Sequence, residues 1–150
     1  QKKIIQELWL KRIDGLPIKS PYEALILASI VEKETGAAQE RASISEVFIN
    51  RLKKRMRLQA DPTVIYGMGS SFKGNLRKKD LLKDNPFNTY TRYGLPPTPI
   101  AMPGREAIKA VLNPASHGNF YFVSRGDGTH YFSKSLRQHN RAVDRYQRSK

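Results

Sequence analysis

Residues 24–31, ALILASIV, contain one polar side chain, Ser29, and run straight into the charged segment EKET at 32–35. A stretch this apolar belongs in a core, and its local signals make it a helix. Ser20-Pro21-x-Glu23 is a capping box with proline at the first helical position, where no donor is lost. The pattern predicts a helix from Pro21 to Thr35, with Gly36 placed to end it. Successive helical residues turn by about 100°. Ala24, Leu27, Ala28, Ile30 and Val31 then share one broad apolar face, and Glu34 falls between Leu27 and Ile30, pointing inward. Glu32 sits at the edge of that face beside Leu25, whereas Ser29 and Lys33 project to the opposite side, toward solvent.

Of the two glutamates, Glu34 is therefore the one placed to lose water. Burial disfavours a charged carboxylate, and a glutamic acid raised from about 4.3 to roughly 6 holds a proton near neutral pH and can donate it. The alternative is a purely structural glutamate, held by an arginine or a backbone donor.

The remaining elements follow from similar patterns. QKKIIQELWLKRI, residues 1–13, has Ile4, Ile5, Leu8 and Trp9 at helical spacing and is broken by Gly15 and Pro17. A second capping box, Ser43 to Glu46, predicts the start of SEVFINRLKKR, whose apolar face is Ile44, Val47, Phe48 and Leu52 and whose basic residues face water. DPTVIYGMG reads as a short helix with Asp61 as N-cap and Pro62 at the first position. RKKDLLKD is another short turn. Residues 85–104, NPFNTYTRYGLPPTPIAMPG, hold five of the nine prolines, which stiffen a loop suited to a groove wall. REAIKAVLN is helical, NFYFVS and THYFS flank RGDG as a β-hairpin, and the tail with Leu136, Val143 and Tyr146 forms a last helix. At 150 residues, without internal repeats, the chain is read as one α+β domain: several helices, a C-terminal β-hairpin and short strands lining a groove.

Most other carboxylates have local tasks. Glu23 and Glu46 belong to capping boxes, Asp80 and Glu106 to first turns, Asp127 to the hairpin turn; Glu40 and Asp84 have none. No second carboxylate has an obvious inward placement, so the two-acid arrangement of ordinary glycosidases is not visible. With 27 Lys and Arg against 13 Asp and Glu the net charge is +14, spread along the chain, which favours polyanionic partners without marking a site. There is no cysteine, so disulfide frameworks and thiolate metal sites are excluded.

Six segments, LASIVEKET, SEVFINRL, MRLQADPTVIYGMG, NPFNTY, YGLPPTPIAMPG and YFVSRGDGTHYFS with the following HN, occur in one order over residues 20–146. Together they resemble the endolytic murein transglycosylases, the MltG or YceG-like family. The resemblance implies a lytic transglycosylase that cuts the β-1,4 bond between N-acetylmuramic acid and N-acetylglucosamine within peptidoglycan strands, leaving 1,6-anhydro ends. It makes Glu34, the second glutamate of VEKET, the catalytic acid and then base, with no metal or organic cofactor. Around the glycan, Gln59, Asp61, Tyr66, Asn88, Thr89 and Tyr90 offer amides and hydroxyls for sugar hydroxyl and acetamido groups and aromatic faces for pyranose rings. Each also has a structural reading: Asp61 a cap, Gln59 a strand-surface residue, Tyr66 a core aromatic, Asn88 a turn residue.

The family further implies a bacterial inner-membrane protein with a single N-terminal anchor absent from this chain, an extracytoplasmic catalytic domain, and peptidoglycan synthases as partners. Accordingly residues 1–19 are read as a helix and linker from a longer protein and 20–150 as the catalytic domain. Two other classes stay open: a basic nucleic-acid-binding or ββα-metal nuclease module, suggested by charge and by His130, His139 and Asn140 on a hairpin-helix, and a noncatalytic cell-wall-binding domain.

Overall fold

The computed structural model describes residues 2–148; Gln1, Ser149 and Lys150, at the outer limits of the expected 1–13 helix and 20–150 domain, lie outside the described residues. The apolar run becomes α2 (Pro21–Glu34), and the fold is assembled around it. Ser20 caps it as expected, accepting the Glu23 N–H at 3.2 Å, while the Glu23 carboxylate reaches one residue further back to the Lys19 N–H. Ala24, Leu27, Ala28, Ile30 and Val31 are fully enclosed. Ser29 is equally enclosed, which corrects its placement toward solvent. Its hydroxyl donates to the Ile26 carbonyl and accepts the Ile100 N–H, so the proline-rich loop covers the helix face that the projection left open.

Helices α1 (Lys2–Leu10), α3 (Arg41–Lys53) and α6 (Arg105–Leu112) pack on α2. Ile5 and Leu8 of α1, Ile44, Phe48 and Ile49 of α3, and Ile108, Val111 and Leu112 of α6 complete one core. Helix α3 starts at Arg41, after a 3₁₀ turn at Ala38–Glu40, and not at the Ser43–Glu46 box. Glu46 is instead a buried carboxylate, and its Oε2 accepts the N–H groups of His117 and Gly118 at 2.6 and 2.7 Å. That fixes the loop entering the hairpin. The hairpin pairs β1 (Tyr121–Ser124) with β2 (His130–Ser133), Phe122 opposite Phe132, and Phe122 lies edge-on to Phe48 at 5.7 Å.

Short helices α4 (Asp61–Met68) and α5 (Lys78–Leu82) flank the proline-rich loop, and α7 (Leu136–Val143) ends in a π-helical turn, Asp144–Arg148. The two carboxylates without a sequence-level task have one here. Asp84 binds Arg92 and the Thr91 hydroxyl, and Glu40 accepts the His130 N–H at 2.9 Å and meets its Nδ1 at the same distance. Gly36 is not the helix terminator; the C-cap is Thr35, in extended conformation. A Cβ on Gly36 would lie 2.7 Å from the Gly128 carbonyl oxygen, so its role is close approach to the hairpin turn.

Replacing Glu46 by alanine leaves the N–H groups of His117 and Gly118 without their acceptor and removes two part-buried, charge-assisted hydrogen bonds, each worth about 1–3 kcal/mol. Urea unfolding should show Glu46→Ala destabilised by about 2–4 kcal/mol. A loss within experimental error would show that loop 117–119 is held by something else.

Candidate active site

Glu34 is the last residue of α2, and the backbone there is fixed from both sides. The N–H and hydroxyl of Thr35 both donate to the Val31 carbonyl, at 2.9 and 2.6 Å, and the hairpin turn closes on Gly36. The Glu34 side chain is half-buried and makes no hydrogen bond among the described residues. Neither an arginine nor a backbone donor holds it, unlike a purely structural glutamate. Burial is the main cause that raises its pKa to about 7, and the negative charge of Asp61 adds to the rise. Glu32, by contrast, accepts the Gly104 N–H at 2.8 Å and anchors the end of the proline-rich loop.

Asp61 is not a cap. Ala60 occupies the N-cap position without a side-chain bond, and Asp61 begins α4 with an exposed carboxylate whose Oδ1 accepts the Tyr90 hydroxyl at 2.5 Å. The structure thus brings a second carboxylate beside Glu34, which the sequence did not reveal. Tyr90 is placed by its neighbours. Asn88 is buried, its amide donating to the Leu81 and Lys83 carbonyls and its oxygen accepting the N–H groups of Tyr90 and Thr91. Thr89 is buried too, its hydroxyl accepting the Ala60 N–H at 2.9 Å and sharing a hydrogen bond with Thr63. Asn88 and Thr89 therefore spend their polar atoms shaping the turn that aims Tyr90 at Asp61.

Gln59, read as a possible strand-surface residue, sits in the left-handed region at φ 51° and donates its N–H to the Thr89 carbonyl. This conformation is uncommon for a non-glycine residue, and the side chain is exposed beside Arg51 and Tyr90. Tyr66 is 48% exposed and leans on Phe87, centroids 4.9 Å apart, so its face is available rather than packed in the core.

Three groups at this site were missed. Arg51 of α3 is buried, correcting the expectation that the basic residues of that helix face water. Its Nε donates to the Phe120 carbonyl at 2.7 Å and its Nη1 to the Arg57 carbonyl at 3.0 Å, and the guanidinium lies 4.9 Å over the Tyr121 ring. A signal existed: Arg51 is seven residues after Ile44 and four after Val47, on the apolar face. Tyr121 and His139 stack on each other, centroids 5.0 Å apart, and no local pattern marks that pairing. Burial lowers the Arg51 pKa, and burial with the nearby Arg51 charge lowers that of His139, keeping its imidazole neutral at pH 7. Burial chiefly, then the hydrogen bond to Asp61, pushes the Tyr90 phenol well above its usual range, so it stays a donor.

His130 is engaged by Glu40 and His139 by Tyr121, and among the described residues no three His, Cys, Asp or Glu side chains cluster as metal ligands. No helix of the described chain is long and apolar enough to cross a membrane.

A model of the YceG-like family matches residues 1–145. A Bacillus subtilis protein named endolytic murein transglycosylase is 42% identical over 131 residues, covering 87% of this chain and 36% of the relative. A protein of the same name from Streptococcus pneumoniae is 33% identical over 133 residues, covering 85% and 24%. The crystal structure of a yceG-like protein from Listeria monocytogenes superposes with a TM-score of 0.80 at 40% identity, covering 94% of this chain and 44% of that one. The chain thus spans less than half the length of each of these proteins. On sequence and on fold alike, it belongs to the YceG-like family.

Proposed function

We propose that this domain is an endolytic peptidoglycan transglycosylase with Glu34 as its one acid–base group. The observation that carries the reading is a half-buried glutamate, free of donors among the described residues and raised to about 7, beside the Asp61–Tyr90 pair. Protonated Glu34 donates to the bridging oxygen as its bond to C1 of the muramyl sugar breaks. The resulting carboxylate takes the proton of the same sugar's 6-hydroxyl as that oxygen bonds to C1. The proton count closes on Glu34, no water is consumed, and the product is a 1,6-anhydro end. Asp61 and Tyr90 orient sugar hydroxyls, Gln59 offers an amide, Tyr66 offers an exposed ring, and Asn88 and Thr89 hold the wall.

The names of the relatives support the substrate. By family alone, the reading extends to an extracytoplasmic domain carried on a membrane anchor near peptidoglycan synthases. Asp61 favours one second reading, a hydrolase in which it activates water across the bond from Glu34. That enzyme releases reducing ends, which mass spectrometry separates from anhydro ends.

Glu34→Gln keeps the shape and loses the proton, so anhydro products from purified sacculi should fall by about 10²–10⁴-fold. Undiminished turnover by the variant sinks the assignment. The acid must be protonated, so the rate should decline as pH rises through about 7. Asp61→Asn removes a charge that raises this value, and the decline should move to lower pH.

The same burial affects stability. Between 4.5, the ordinary value, and about 7, the folded chain holds a proton that the unfolded chain releases, so stability falls as pH rises across that window and is flat above it. Glu34→Gln should therefore be more stable than the parent above pH 7 by about 2–3 kcal/mol and equal to it below 4.5. Thermal melts across pH that show no such convergence would mean the carboxyl is well solvated.

A further inference from the structure

Against Tyr90 and Gln59 lies a cavity of about 140 Å³ whose other lining residues have no part in the chemistry at Glu34. Arg51, Gln59, Tyr90 and His139 give it a mostly polar lining with Phe122 at the apolar margin, and Val47 and Leu58 lie almost wholly covered behind it. The guanidinium is held rigidly by two backbone carbonyls and the Tyr121 ring, with the Gln59 amide oxygen 3.4 Å from Nη1. No carboxylate stands within 4.0 Å of it among the described residues. Arg51 Nη2 makes no hydrogen bond among the described residues, and His139 Nδ1 is a buried atom without a partner. Arg51 Nη2 is not sealed from solvent and stays open to an acceptor that enters the cavity, whereas the buried His139 Nδ1 leaves one polar atom of the wall unsatisfied.

A guanidinium donor, an amide oxygen and one aromatic edge, in a space this small, match a short neutral acyl amide. Its carbonyl oxygen accepts from Nη2, its N–H donates to Gln59 Oε1, and its methyl group lies against the Phe122 ring. A carboxylate also suits an arginine. Here, however, the oxygens already bound to Arg51 are all neutral, and the charges of Asp61 and Glu34 both reach Tyr90 on the cavity wall, opposing a further anion.

We propose that this cavity is the subsite for the N-acetyl group of the sugar at the cleavage point, with Arg51 as the specificity-determining donor. It deepens the glycan-cleaving reading of Glu34 and rests on it.

The test uses glycan strands carrying N-acetyl, N-butyryl or free amino groups, titrated against Glu34→Gln so that binding is read without turnover. The N-butyryl and free-amine strands should bind at least about tenfold more weakly, a change of about 1.4 kcal/mol. In the parent enzyme the same change should appear in KM more than in kcat. Arg51→Lys keeps the charge and loses the fork, and should abolish the preference for N-acetyl. If that variant unfolds, Gln59→Ala and the strand series still decide the matter. Equal affinity for all three strands overturns the proposal. So does loss of binding when stem-peptide carboxylates are amidated, together with indifference to the N-acyl group, since the cavity then takes an anion. Absence of anhydro ends from every strand, with the N-acyl preference intact, instead refutes the Glu34 chemistry alone.

Discussion

The structure turns on one carboxyl group carried to the end of the most enclosed helix and left without a donor. Helix α2 is buried on nearly all sides, and Glu34 is its last residue, half-buried where the helix ends. An arginine at the same place would lock the group as an anion, and full exposure would return it to the ordinary range. The fold holds it between those limits. Loss of water raises its pKa and the negative Asp61 nearby raises it further, while the Tyr90 hydroxyl that binds Asp61 keeps that second carboxylate engaged.

Around this group the fold uses buried charges as fasteners. Glu46 ties helix α3 to the loop before the hairpin through two short N–H contacts, and Arg51, one turn and a half further along, binds the backbone on the other side of the same loop. Glu40 holds His130 at the second strand. These contacts set the hairpin against the end of α2, where Gly36 leaves room for the Gly128 carbonyl. The hairpin is thus positioned by side chains from α3 and the 3₁₀ turn before it, and Asn88 and Thr89 hold the neighbouring backbone so that the Tyr90 hydroxyl meets Asp61.

The helices and the hairpin were legible because each carries its own local signal. The cap at Ser20, the period of the apolar residues and the glycine-rich turn at RGDG depend on near neighbours only. Glu34 was legible for the same reason, since the angular position of one residue on a helix follows from counting. Failures of sequence reasoning fall where a side chain is used at long range. Glu46 looked like half of a capping box because its spacing from Ser43 fits, yet its partners are some 71 residues away. Asp61 looked like a cap, and its partner is 29 residues away. Ser29 looked exposed, since nothing local says that Ile100 will cover it.

By itself, the sequence determined the secondary elements, the family and the inward-facing glutamate, because helix period, capping and motif order are properties of adjacent residues. Only the tertiary structure decided what surrounds that glutamate: the Asp61 carboxylate beside it, the Tyr90 hydroxyl, the buried Arg51 and the small cavity with His139. Desolvation and charge coupling depend on distances between elements remote in the chain, and those distances exist only once the loop and hairpin have closed on α2.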